Sequence, residues 1–186
     1  MNTLNTTTRY GWLPIALHWL MLALVVGAYG CILLSDSFPK GSDIRSGLKT
    51  WHFMLGLSIF SLVWVRLVAR WFSPTPLIEP PIPAWQHTAA HVLHMALYAF
   101  MVSMPLLGWL ILSAAGKEVP FFGLQLPALI GQSKEWAESL KEVHEIGATV
   151  GYVLIGLHAA AALYHHYFLN DNTLTRMLPE SKKAFD

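Results

Sequence analysis

Nine histidines stand in this chain of 186 residues, and their spacing is its most informative chemical feature. An imidazole ligates metals and haem iron and carries protons near neutral pH. His144 and His158 lie fourteen residues apart. At about 100° per residue they return to within about 40° of one helix face, and at about 1.5 Å per residue they stand about 21 Å apart along its axis. Two ligands on one face, one towards each end of a long helix, suit two stacked haems, each needing an axial partner from a second helix.

One partner is suggested by a repeated pattern. Leu48-Lys49-Thr50-Trp51-His52 and Leu140-Lys141-Glu142-Val143-His144 both read L-K-x-x-H. Each opens an apolar segment, and the two segments run in the same direction. His52 and His144 are therefore expected at matching depth as a bis-imidazole pair, with Lys49 and Lys141 one turn away and able to pair a haem propionate. A chance match at two helix entries would give the same pattern. The second pair is less determined. His18, nine residues after Arg9, matches His158 in depth, but His94 and His165 reach a similar level. His18 with His158 is preferred because His165 sits at the expected helix end beside His166. His87, His91 and His94 share one face at a segment entry, where interfacial histidines bonding loop carbonyls are the simpler reading. Gly56, Gly147, Gly151, Ala161 and Ala162 lie near the candidate ligands and would let a flat ring approach the backbone. Close helix packing through small residues explains much of the same pattern.

The elements that must position these residues are long and apolar. The chain is 54% hydrophobic and 12% charged, whereas a soluble domain carries about a quarter charged residues, and its mean hydropathy is +0.45. A helix needs roughly 20 apolar residues to cross the hydrocarbon core. Four stretches qualify: about 11–34, 50–71, 87–115 and 143–169. The expected fold class is all-α, an integral membrane four-helix bundle with both termini on the same side, residues 1–186 forming a single domain. The joint at 35–49 is polar with Pro and Gly breakers, and 72–86 is a proline-rich strap. Residues 116–133 mix Gly, Pro and aromatics as an interfacial loop would. The amphipathic stretch 133–142 predicts a fourth helix that starts outside the bilayer.

Charge excludes more than it assigns. The net charge is +1, so there is no nucleic-acid signal. Arg9, Arg66, Arg70, Arg176, Lys182 and Lys183 fall on the terminal side, and Lys40, Arg45, Lys49, Lys117, Lys134 and Lys141 on the other. This balance leaves the positive-inside rule undecided. A single cysteine, Cys31, excludes an intrachain disulfide and reads as a small apolar packer. No C-x-x-C-H is present, which argues against covalent c-type haem. The first apolar run is too long for a signal-peptide core and lacks an A-x-A site, so a retained helix is expected.

With the histidines placed, the chain resembles the bacterial cytochrome b561 family of small di-haem membrane cytochromes. The resemblance is carried by A-L-H-W (16–19), G-L-K-T-W-H (47–52), G-L-H-A-A-A-A-L-Y-H-H-Y (156–167) and N-D-N-T-L-T-R-M-L-P (170–179). It covers nearly the whole chain and is looser across 116–139. It implies a multi-pass protein of the bacterial inner membrane with cytoplasmic termini and two non-covalent haems b, one near each face, each bis-histidine. By this resemblance His18 and His158 match the inner pair, and His52 and His144 the outer pair. One branch of the family oxidises periplasmic superoxide and reduces ubiquinone, and related cytochromes anchor dehydrogenases or hydrogenases.

Three functions are compatible with these residues. Bis-histidine iron has no open position, which favours outer-sphere electron transfer. The first reading is therefore a superoxide:ubiquinone oxidoreductase, with Lys40, Arg45 and Lys49 steering a small anion. Loop charges that only solvate the surface are an equally good account of those cations. In the same reading His165, His166 and Asp171 relay protons to the quinone, the simpler role being an interfacial anchor. The periplasmic electron donor belongs to that first reading; the second is a haem-b electron-transfer subunit of a partner dehydrogenase or hydrogenase. The third is a haem-free metal or proton transporter. It is disfavoured because Glu145, the only carboxylate within an expected span, sits at a helix entry.

Overall fold

The structure, a computed structural model, describes residues 3–7 and 9–178. Lys182, Lys183 and the final Pro179 of the fourth motif lie outside the described residues. Four helices are long and apolar enough to cross a membrane. They are α1 (Trp12–Ser35), α2 (Asp43–Trp71), α3 (Ala84–Ala114) and α4 (Lys134–Tyr164). α4 runs on through a π-helical turn, His165–Leu169, and closes at Asn170 in the left-handed region, φ 52°, which Asn tolerates better than most residues.

Two helices begin earlier than apolarity alone suggests, because serines cap them. Ser42 Oγ accepts from Arg45 N, and Ser133 Oγ from Trp136 N, each satisfying a donor that the first turn leaves open. α2 thus starts at Asp43 rather than near residue 50, and α4 at Lys134, well before its apolar run. α3 carries Pro105 in its interior, which membrane helices tolerate when neighbours satisfy the freed backbone groups.

The burial pattern is that of a lipid-embedded bundle. Val26, Leu33, Val65, Val68, Val92, Val150, Val153 and Leu157 are exposed, an apolar outer surface that water would not support. Inside, Met21, Ala28, Ile59, Val63 and Tyr98 form one cluster, and Leu57, Leu112 and Val119 a second. Backbones pack closely from α1 to α2, α2 to α3 and α3 to α4, whereas α4 meets α1 and α2 chiefly through side chains.

The α3–α4 connection contains an element the sequence reading lacked. Strands β1 (Val119–Phe121) and β2 (Leu124–Leu126) pair antiparallel, Val119 opposite Leu126. Their two-residue turn is Phe122-Gly123, both with positive φ, 46° and 84°, the geometry that matches strand twist in a tight hairpin. Val119 is buried against Leu57 and Leu112, so the hairpin plugs that end of the bundle. We call this the far face.

At the opposite, terminal face three separate segments interlock. Asn5 Nδ2 donates to the Pro74 carbonyl at 3.0 Å, and Leu77 N donates to the Thr7 carbonyl at 3.2 Å. Asn172 N donates to the Glu79 carbonyl at 3.0 Å, and Glu79 N returns a bond to Asn172 Oδ1 at 3.1 Å. Arg176 donates to the carbonyls of Pro76 and Leu77, and Trp19 Nε1 to that of Met177 at 2.7 Å. The proline strap is thus sewn between the segments flanking the two ends of the bundle, which places residues 3–11 and 170–178 on one side.

Candidate functional site

Four of the histidines meet in two facing pairs inside the bundle. Towards the far face, His52 on α2 and His144 on α4 stand with ring centres 6.2 Å apart. Towards the terminal face, His18 on α1 and His158 on α4 stand 6.1 Å apart. Both α4 histidines face inward because fourteen residues bring the helix back to nearly the same face. Between them Gly151 is buried against Tyr29 and Phe100, with Tyr29 Oη donating to the Ala148 carbonyl at 2.8 Å.

The two pairs are held differently. His52 Nδ1 lies 2.9 Å from the Ala28 carbonyl. A carbonyl only accepts, so Nδ1 carries the proton and Nε2 keeps its lone pair. His144 Nδ1 is buried without a partner in hydrogen-bond geometry, the Met104 carbonyl standing beside it. At the terminal pair, His18 Nδ1 lies 3.1 Å from Nη2 of Arg66. Arg66 Nε donates to the Tyr98 hydroxyl at 3.3 Å, and its Nη1 is buried with no partner.

The other candidates separate clearly. His94 is a third ring at the terminal pair, 5.3 Å from His158. His165 instead turns to Asp171, Nδ1 to Oδ2 at 2.5 Å, and His87 and His91 are exposed at the start of α3. Lys40 is exposed and Lys49 half-buried on the far side. Arg45 is engaged by Asp36 and by the Phe38 carbonyl, each at 2.8 Å, and Lys141 by Glu145 at 2.6 Å. Among the described residues, no group of three or more His, Cys, Asp or Glu is arranged to hold a bare metal ion.

Arg66 is the site residue that sequence reasoning missed. Charge counting places it only among the cations of the terminal side, yet it reaches His18 within the bundle. The available signal was its position inside the expected span 50–71, where an arginine needs a partner.

An apolar four-span bundle with imidazoles facing each other in its interior defines a membrane redox carrier or ion-handling protein. The comparisons choose between these. The family model for prokaryotic cytochrome b561 matches residues 9–180. Cytochrome b561 homolog 1 of Escherichia coli is 37% identical over 174 residues, 94% of this chain and 99% of the relative. A Yersinia pestis protein named probable superoxide oxidase CybB is 37% identical over 94% of this chain and 98% of its own length. Cytochrome b561 homolog 2 of E. coli is 30% identical over 100% of this chain and 99% of the relative. The chain belongs to the prokaryotic cytochrome b561 family. It is a b-type cytochrome of electron transfer and a multi-pass protein of the bacterial inner membrane.

The residues present fit a haem. Two imidazoles on opposite sides of one metal, with bonds of about 2.0–2.1 Å and about 1.1 Å from ring nitrogen to ring centre, stand roughly 6.3 Å apart. Both inward pairs match that spacing, and the His94–His158 distance of 5.3 Å falls short of it. A side chain added at Gly56, one turn from His52, would meet open space. At Gly147 and Gly151 the reading of room for a ring is corrected: Met104 fills the first position, and Tyr29 with Phe100 the second. Those two glycines serve close packing between the pairs.

Proposed function

We propose that the chain works as one di-haem unit, His52 with His144 and His18 with His158 as axial ligands, carrying electrons from the far face to a quinone. The observation that carries this reading is the shared spacing of the two pairs, 6.2 and 6.1 Å, each close to what one six-coordinate iron requires. Bound haem b supplies a one-electron redox couple at each position.

The protein's own part is orientation and exclusion. His52 with His144 and His18 with His158 would hold the haems and leave no open place at iron, so the haems would supply outer-sphere electron transfer. The Ala28 carbonyl fixes the His52 ring, a contact that makes an imidazole a better ligand. The donor is superoxide at the far face, and the acceptor is ubiquinone in the bilayer. Two superoxide anions each give one electron and leave as dioxygen; one ubiquinone takes two electrons and two protons to become ubiquinol. The far face is then periplasmic and both termini cytoplasmic. Lys40 and Lys49 have no ion pair among the described residues and so can steer the anion, whereas Arg45 and Lys141 are engaged locally.

The test is steady-state ubiquinone reduction by purified protein supplied with enzymatically generated superoxide. Turnover by the protein alone, faster at low ionic strength, supports the proposal. Activity that appears only after a dehydrogenase or hydrogenase partner is added would replace it with the electron-transfer-subunit reading.

A further inference from the structure

We propose that Arg66 is the carboxylate clamp of the haem between His18 and His158, gripping a propionate once that haem is in place. The inference rests on the haem positions proposed above and assigns Arg66 a role they leave open. Arg66 lies five residues before the end of α2, within a membrane-spanning helix, where an unpaired cation is costly. Its contacts are all neutral: His18 Nδ1 at 3.1 Å and the Tyr98 hydroxyl at 3.3 Å, with Nη1 buried and unpartnered. Among the described residues no carboxylate forms an ion pair with it. A half-buried guanidinium with one nitrogen buried and unpartnered among neutral groups calls for an anion.

The bond to His18 is itself incompatible with ligation through Nε2. A guanidinium only donates, so Nδ1 accepts and the ring proton sits on Nε2. An iron ligand needs its lone pair there. Loading the site therefore releases Arg66 from His18, freeing Nη2 beside the unpartnered Nη1. These two groups form one edge of a planar fork that matches a carboxylate with two parallel bonds. The incoming haem brings carboxylates and no other anion. Tyr98 keeps hold of Nε, and the Arg70 guanidinium lies 5.9 Å over the Tyr98 ring, so the fork retains its direction. At the far side the arginine of the α2 entry, Arg45, is already held by Asp36 and the Phe38 carbonyl.

The experiment follows haem release to an excess of a haem-scavenging apoprotein, in a His52→Ala background so that only the His18–His158 haem contributes. Native haem is compared with haem whose propionates are methyl esters. The esterified haem should leave the otherwise unaltered chain roughly tenfold faster, the scale of one charge-assisted hydrogen bond. In Arg66→Gln the two haems should leave at equal rates, and Arg66→Lys should restore part of the difference. Equal release of both haems from the Arg66 chain, or a full ester effect persisting in Arg66→Gln, would overturn the clamp. If Arg66→Gln does not accumulate, an undiminished ester effect in Arg66→Lys would overturn it instead. A chain that binds no haem between His18 and His158 would overturn the ligand assignment itself, which separates the two failures.

Discussion

The His52 imidazole donates its Nδ1 proton to the carbonyl of Ala28 at 2.9 Å. The bond ties α2 to α1, fixes the ring's tautomer and leaves Nε2 as a lone-pair donor. His18 has the opposite environment, since an arginine donor occupies its Nδ1. The two pairs share a spacing and differ in what holds their rings, so they are expected to respond differently to substitution.

His94→Ala should leave the haem content of the purified protein unchanged, whereas His18→Ala should lose one haem per chain. The spacing decides this, because 6.1 Å accommodates an iron between the rings and 5.3 Å does not. Haem quantified per chain after extraction is the measurement. Loss in the His94 variant with retention in the His18 variant would exchange their roles.

Lys49→Glu should slow the reaction with superoxide roughly threefold or more at low ionic strength, with the difference shrinking as salt is added. Haem content should stay the same. Stopped-flow reduction across a salt series reads both effects, and unaltered kinetics would remove anion steering by this residue.

Legibility in the sequence followed the range of the interaction. The L-K-x-x-H repeat pointed to His52 and His144, and the structure brings those two rings together. The helices were legible because lipid demands long apolar runs. The start of α4 outside the bilayer was legible in the amphipathic stretch 133–142, but the early start of α2 was not, since a serine cap is a local hydrogen bond that hydropathy does not register. The hairpin was hidden because its turn is Phe122-Gly123 rather than the commoner Asn-Gly. The interlocked cap joins Asn5, Glu79 and Asn172 across long stretches of chain, and nothing in a single sequence pairs them. His94 and His18 stayed open as partners of His158 because depth along a helix cannot separate two rings at one level.

The cap should loosen in acid through Asp171, which is 5% exposed. Burial alone would raise its carboxyl, but hydrogen bonds from His165 and Thr173 outweigh that and hold it below its ordinary value of 3.8. A carboxylate lowered by folding stabilises the fold above that ordinary value and loses the contribution as pH falls through its own lowered one. Pepsin cleavage within 72–83 and 170–178 should therefore rise steeply below that value, and Asp171→Asn should flatten the rise. An acid response unchanged in Asp171→Asn would contradict the assignment.

Gly151→Ala should lower the thermal stability of the detergent-solubilised protein. The added Cβ would overlap the Tyr29 hydroxyl and the Phe100 ring, and overpacking of this kind costs about 1–3 kcal/mol. The gain in helix propensity is about 1 kcal/mol and offsets part of it. A Tm equal to or above that of the unaltered protein would show that α4 has more freedom there than its packing implies.

The most direct test of the whole account is haem counted per chain by reduced-minus-oxidised spectroscopy of the purified protein and of its His52→Ala and His144→Ala variants. The unaltered chain should hold two haems b, and each variant should keep one, with the same residual spectrum in both. Two haems retained in either variant, or an unaltered chain without Soret absorbance, would contradict it.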